Sequence, residues 1–193
     1  MKPFAGFKSE AKSKSYEQLP EGPYVATIKA TRIDGREPDQ SLIIRVDVSE
    51  GQYAGYFTKR WKHDKDSNTR YEPKYKGDFR LRIPNEGSAY YENNLAKFND
   101  AIYRIEQSNP GYHWDWNENG LVGLTVGINM QKNFYNDNPY TKIGRLEIAD
   151  DVRKGIVNVM KAGEPRSDAY EPPVQQVDSQ SGFMVVNTDE VPF

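Results

Sequence analysis

The chain has 193 residues, 36% of them hydrophobic and 28% charged, with a formal net charge of −2 and no cysteine. That length suits one ordinary domain with appendages, and the missing cysteines exclude disulfides and thiolate metal sites. No apolar run approaches a signal peptide or a membrane span, so a soluble cytoplasmic protein without membrane partners is expected. The charge is unevenly spread. Residues 164–193 carry six acidic side chains against Arg166 alone, which leaves the remainder mildly basic.

Residues 1–20 are polar and lysine-rich and read as a flexible basic arm. Leu19-Pro20-Glu21-Gly22-Pro23 is a turn signal leading into a first strand, in which Tyr24, Ala26, Ile28 and Ala30 alternate with Val25, Thr27, Lys29 and Thr31. Residues 34–40, with Gly35 and Pro38, read as a hairpin loop. The second strand has Leu42, Ile44, Val46 and Val48 inward and Ile43, Arg45 and Asp47 outward. Residues 53–62 are expected as a third strand, residues 63–76 as a polar loop, and residues 79–83 as an added strand closed by Pro84.

This third segment has an unusual composition. From residue 56 to 82 there are nine lysines and arginines against four acidic residues, interleaved with Tyr56, Phe57, Trp61, Tyr71, Tyr75 and Phe79. Cations that follow a phosphate backbone, together with rings on which bases stack, are what an unpaired nucleic-acid strand requires. The plainer reading is a hairpin with core aromatics and a solvated charged loop.

Next comes a helix, started at Ser88 and ended by Asn109-Pro110-Gly111, whose Tyr91, Leu95, Phe98, Ile102 and Ile105 form one apolar stripe. Trp114 and Trp116 follow and are expected to pack at the base of the fold. A fourth strand turns Val122, Leu124, Val126 and Ile128 one way, with Gly123 and Gly127 on its other face permitting close approach. Residues 133–139 form a hairpin loop carrying Phe134 and Tyr135, and residues 141–148 form the fifth strand. After Gly163 the composition turns to Pro, Gln, Ser and Asp, and residues 164–193 read as a disordered acidic tail.

The order of three strands, a helix and two strands predicts a mainly β protein. Its expected architecture is a five-stranded OB-fold Greek-key barrel over residues 21–163, with one helix between strands three and four. In that fold the face of strands two and three, flanked by two loops, holds ligands. The basic-aromatic stretch falls on this face, and Phe134, Tyr135 and Tyr140 fall on the second loop. Candidate phosphate contacts are Arg45, Lys59, Arg60, Lys62, Arg80, Arg82 and Lys142; candidate stacking rings are Tyr56, Trp61, Phe79, Phe134 and Tyr135.

The last residues, Thr188-Asp189-Glu190-Val191-Pro192-Phe193, resemble the C-terminal tip of bacterial single-stranded-DNA-binding proteins. The segments L-P-E-G-P-Y-V-A-T-I, E-G-Q-Y-A-G-Y-F and G-L-V-G-L-T-V-G-I make the body similar to phage-encoded proteins of this kind more than to the housekeeping bacterial one. The resemblance implies sequence-tolerant binding of single-stranded DNA in replication or recombination, inside a bacterial host cell. It also implies that Asp189, Glu190, Val191, Pro192 and Phe193 recruit replication or recombination proteins. Asp189 and Glu190 would meet a basic rim on the partner, and Phe193 would fill a small pocket with its carboxylate paired to a cation. Assembly as a homo-oligomer is left open.

No phosphate-binding G-x-x-x-x-G-K-[ST] motif occurs, and His63 and His113 stand alone without the spacing of a zinc site. A metal-dependent nuclease built on Asp39, Glu72 and Lys74 is the enzymatic alternative, but Pro73 argues against the central strand it needs. A barrel binding another polyanion or a protein is the other alternative. The expectation is a binding protein with no catalytic residues, metal or cofactor.

Overall fold

The computed structural model describes residues 16–67, 71–135 and 138–164. The first fifteen residues of the expected arm, and the acidic tail from 165 onward with its tip Asp189 to Phe193, lie outside the described residues. Five strands form one antiparallel sheet: β1 (Gly22–Asp34), β2 (Ser41–Val48), β3 (Asp78–Arg82), β4 (Thr125–Tyr135) and β5 (Asn138–Glu147), in the order β3-β2-β1-β4-β5. The long central strand β1 serves two partners. Its first half pairs with β4 and its second half with β2. Among the described residues no strand ladder joins β3 to β5, so the sheet is not closed.

The inward face follows from alternation. Ala26 and Ile28 of β1, Leu42, Ile44, Val46 and Val48 of β2, and Val126 and Ile128 of β4 are all buried. They meet the apolar stripe of helix α2 (Tyr91–Ser108), in which Phe98, Ala101, Ile102 and Ile105 are buried. This helix, legible in the sequence as a stripe spaced by three and four, packs against β3, β4 and β5 and lies across the unjoined edges. A 3-10 turn (Glu118–Leu121) then runs beside the outer half of β1, where Thr31 donates its hydroxyl to the Glu118 carbonyl at 2.9 Å.

The segment expected as the third strand folds differently. Residues 56–67 form helix α1 (Tyr56–Ser67), and the short strand expected as its appendage is β3 itself. The cause lies outside the segment. Asp47, buried on β2, accepts hydrogen bonds from the backbone N–H of Phe57 at 2.9 Å and of Thr58 at 3.3 Å, so a carboxylate ten positions earlier caps the helix. Arg60 and Asp64, one turn apart, add an ion pair at 3.8 Å.

A five-residue helix α3 (Ala149–Arg153) packs against β1 and β4, and residues 156–163 run along β4. Asn129 donates to the Asn158 carbonyl, Gln131 to that of Lys161, and the Gly163 N–H to the carbonyl of Lys132. Gly127 permits the close approach expected of it, since a Cβ there would come within 2.8 Å of the Val152 side chain. Among the described residues no helix is long and apolar enough to cross a membrane.

Candidate nucleic-acid interface

The outer face of β1, β2 and β3 is set by a single extra residue. Ile28 lies opposite Val46, but Ala30 lies opposite Arg45, which leaves Lys29 as a bulge and reverses the alternation beyond it. Ala30, Arg32 and Asp34 therefore share a face with Ser41, Ile43 and Arg45 of β2 and with Asp78, Arg80 and Arg82 of β3. Cross-strand register makes three rows: Ala30–Arg45–Asp78, Arg32–Ile43–Arg80 and Asp34–Ser41–Arg82. Ile43 is only 2% exposed yet sits apart from the main core, between the stems of Arg32 and Arg80.

Four guanidinium groups share this face with two carboxylates. Asp78 accepts from Arg45 at 2.8 and 3.1 Å and from both terminal nitrogens of Arg32 at 3.4 Å. Arg80 pairs with Asp34, and that contact holds the Asp34 carboxyl below the usual carboxylate range. Arg32 and Arg80 nonetheless keep about half of their side-chain surface in solvent, at 52% and 57%. Arg82 is exposed without an ion-pair partner among the described residues.

Tyr75 links this face to α1. The guanidinium carbon of Arg45 sits 4.6 Å from its ring centroid, while its hydroxyl donates to the Val46 carbonyl at 3.2 Å and lies 3.4 Å from the Thr58 hydroxyl on α1. Burial, the largest cause, pushes the Tyr75 phenol up to about 12. The ring also tilts against Phe57 at 6.2 Å, and Phe57, Tyr56, Tyr53 and Tyr24 continue as edge-on contacts back to β1.

Much of the aromatic content of residues 53–75 is therefore packing. Tyr56, expected as a stacking ring, is 6% exposed, and its hydroxyl donates to the Glu17 carbonyl and accepts from the Leu19 N–H at 2.8 Å. Phe79 lies opposite Ile44 on the inward face and packs on the core, so it too differs from the expected surface ring. Arg60, expected on a phosphate, instead donates to the Tyr56 hydroxyl and is largely covered. Helix formation explains Tyr56 and Arg60, because period-two alternation no longer decides which side chains of residues 56–62 face out; Phe79 is turned inward by its own register opposite Ile44.

Lys59 and Lys62 are exposed on α1, although Lys59 also donates to the Ala54 carbonyl at 2.8 Å. Trp61 is half-buried, with its indole N–H donated to the Pro73 carbonyl and the Lys65 ammonium 4.9 Å from its ring. Phe134, Tyr135 and Lys142 sit elsewhere, on the part of the β4–β5 hairpin that overhangs the start of β1. There Tyr135 is 68% exposed, Lys142 is exposed, and Lys132 covers half-buried Phe134 at 5.6 Å.

The structure thus brings Arg45, Arg80 and Arg82 together on one face, joins α1 to it through Tyr75, and sets the hairpin residues apart. Sequence reading missed Arg32, whose place depends on the bulge, and the exposure of Trp116, whose backbone adopts φ +65 and whose side chain is 82% in solvent. The residues of the nuclease alternative lie apart: Asp39 borders an opening with Arg82 and Tyr90, whereas Lys74 lines a hollow with Asp64 and Ser67. Among the described residues no group of three or more His, Asp or Glu is arranged to hold a metal ion. Comparison with protein-family models and with characterised proteins finds no match to this chain.

Proposed function

We propose that the chain is a non-catalytic, sequence-tolerant single-stranded-DNA-binding protein built on an OB-type barrel, with the β1–β2–β3 face as its platform. The observation that carries this reading is the register-fixed group of Arg32, Arg45, Arg80 and Arg82, four cations against Asp34 and Asp78. The strand order supports the barrel: β1 is shared between β2 and β4, and α2 spans the gap between β3 and β5, as in the expected Greek-key topology.

Asp34 and Asp78 hold the guanidinium groups of Arg32, Arg45 and Arg80 extended before a ligand arrives. A phosphate oxygen then exchanges for a carboxylate oxygen, forming the same charge-assisted geometry. Because phosphates repeat along any strand, this contact is indifferent to sequence. Lys59 and Lys62 on α1 extend the positive track, and Trp61, Tyr135 and Phe134 supply stacking surface away from the arginines, each good stack contributing roughly 1–3 kcal/mol. The acidic tip, Asp189 to Phe193, recruits a replication or recombination protein in the cytoplasm of a bacterial host.

Titration of oligo-dT against intrinsic tryptophan fluorescence over a range of salt concentrations tests the reading. Affinity falls with salt, with a slope of about −0.7 per phosphate neutralised. Replacing Arg32, Arg45, Arg80 and Arg82 with Gln flattens that slope by roughly 2 to 3. Absence of binding at low salt would overturn the proposal. Removing residues 189–193 leaves DNA affinity intact while abolishing partner capture.

A further inference from the structure

Between the unjoined edges of β3 and β5, beside α2, lies a cleft of about 370 Å3. Its buried walls are apolar: Leu81 of β3, Ala101 of α2 and Leu146 of β5. Its exposed rim is cationic, with Arg80 and Arg82 from β3, Lys97 from α2 and Arg145 from β5. Arg80 and Arg145 have carboxylate partners in Asp34 and Glu147, whereas Arg82 and Lys97 have none among the described residues. The one acidic side chain in the lining, Asp100, is already bonded to Arg104 at 2.9 Å.

A second, more open hollow of about 560 Å3 adjoins the first and shares Arg82 and Asn94 with it. At its mouth stands Tyr90, 70% exposed. Arg82 also ends the third row of the outer face, opposite Ser41. One arginine therefore belongs to the sheet platform, to the open hollow and to the cleft. A chain lying on the platform can leave it at Arg82 and pass the Tyr90 ring to reach the seam, with Asp39 the one carboxylate lining the hollow on the way.

We propose that this seam is a nucleotide pocket: one unit of a bound single strand turns its base onto Ala101 and Leu146 while Arg82 and Lys97 hold the adjoining phosphates. The proposal rests on the single-strand reading above and deepens it by assigning Lys97, Asn94 and Tyr90 to the path. The volume suits one small ligand unit rather than a helix or a folded segment. Apolar walls under a cationic rim match a base linked to a phosphate, and the side-chain amide of Asn94 offers donor and acceptor atoms to a base edge. A carboxylate-rich peptide would satisfy the rim alone and leave the walls without a partner.

The test uses the full chain with oligo-dT carrying 5-iodo-deoxyuridine at successive positions. Irradiation is expected to attach one position within the three segments that line the seam, residues 79–82, 94–101 and 144–146. Lys97→Glu, at an exposed helix position, and the double variant Asn94→Ala/Tyr90→Ala should each weaken oligo-dT binding about tenfold and abolish that attachment, with unchanged thermal unfolding. If the unaltered protein binds oligo-dT, both variants bind within twofold of it and no attachment maps to the seam, the pocket is refuted while the platform stands. If the unaltered protein fails to bind at all, both proposals fall. Loss of poly-glutamate binding in Lys97→Glu, with oligo-dT binding intact, would assign the cleft to an acidic peptide and overturn the nucleotide assignment.

Discussion

Replacing Asp47 with alanine isolates the contact that turns residues 56–67 into a helix. Two N–H groups, those of Phe57 and Thr58, lose a shared carboxylate acceptor, and Phe57 is itself buried. A hydrogen bond to a charged group contributes about 1.5–3 kcal/mol, and loss of a helix cap costs about 0.5–2 kcal/mol. These descriptions overlap, so the net expectation for Asp47→Ala is about 3 kcal/mol. Asp47→Asn keeps an acceptor but loses the negative charge at the positive end of the helix, and should cost about 1 kcal/mol. Urea unfolding followed by circular dichroism measures both, as a lower midpoint at unchanged slope. Because Thr58 steadies Tyr75, and Tyr75 underlies Arg45, the alanine variant should also bind oligo-dT a few-fold more weakly. A loss of stability below about 0.5 kcal/mol for Asp47→Ala, well under the cost of a lost buried acceptor, or an asparagine variant no better than alanine, would refute the reasoning.

Asp78→Asn removes the carboxylate that occupies both Arg32 and Arg45, so single-strand affinity at low salt should rise several-fold; weaker binding would contradict the exchange of carboxylate for phosphate. Gly77→Ala places a Cβ 2.5 Å from the Val46 carbonyl oxygen and 2.8 Å from the Phe57 ring, and thermal unfolding should show a loss of about 2 kcal/mol or more. Tyr24 and Tyr75 are both pushed up to about 12, mainly by burial, whereas an unfolded chain releases phenol protons near 10. Their stabilising contribution is thus complete below pH 10 and is lost between about pH 10 and 12, so Tyr24→Phe and Tyr75→Phe should each make the alkaline fall in stability shallower. Acrylamide quenching should find Trp116 far more accessible than Trp61, and substituting Trp116 should remove the readily quenched component.

The parts of the fold legible in the sequence are those whose signal is local. The alternation of Leu42, Ile44, Val46 and Val48 gave β2 its inward face, and the stripe of Phe98, Ile102 and Ile105 gave α2 its buried side. Arg45, Arg80 and Arg82 followed from the same pattern. What escaped depended on distant partners. Residues 56–62 contain no capping residue of their own, because the cap comes from β2, and their rings gave equal support to a strand face or a helix packed on a sheet. Tyr56 was hidden by a hydrogen-bond network reaching back to Glu17 and Leu19, which no short window contains.

The irregularity at Lys29 gives the binding platform a numerical fragility that the apolar core does not share. Pairing that one residue in the ladder would restore an uninterrupted strand and rotate everything from Ala30 to Asp34 by half a turn. Arg32 would then leave the arginine face, and Ile33, now 41% exposed on the opposite side, would take its place between Ile43 and the end of the strand, so the platform would exchange a cation for a hydrocarbon without any change in amino-acid type. Length, more than composition, decides what this edge of the molecule offers to its surroundings.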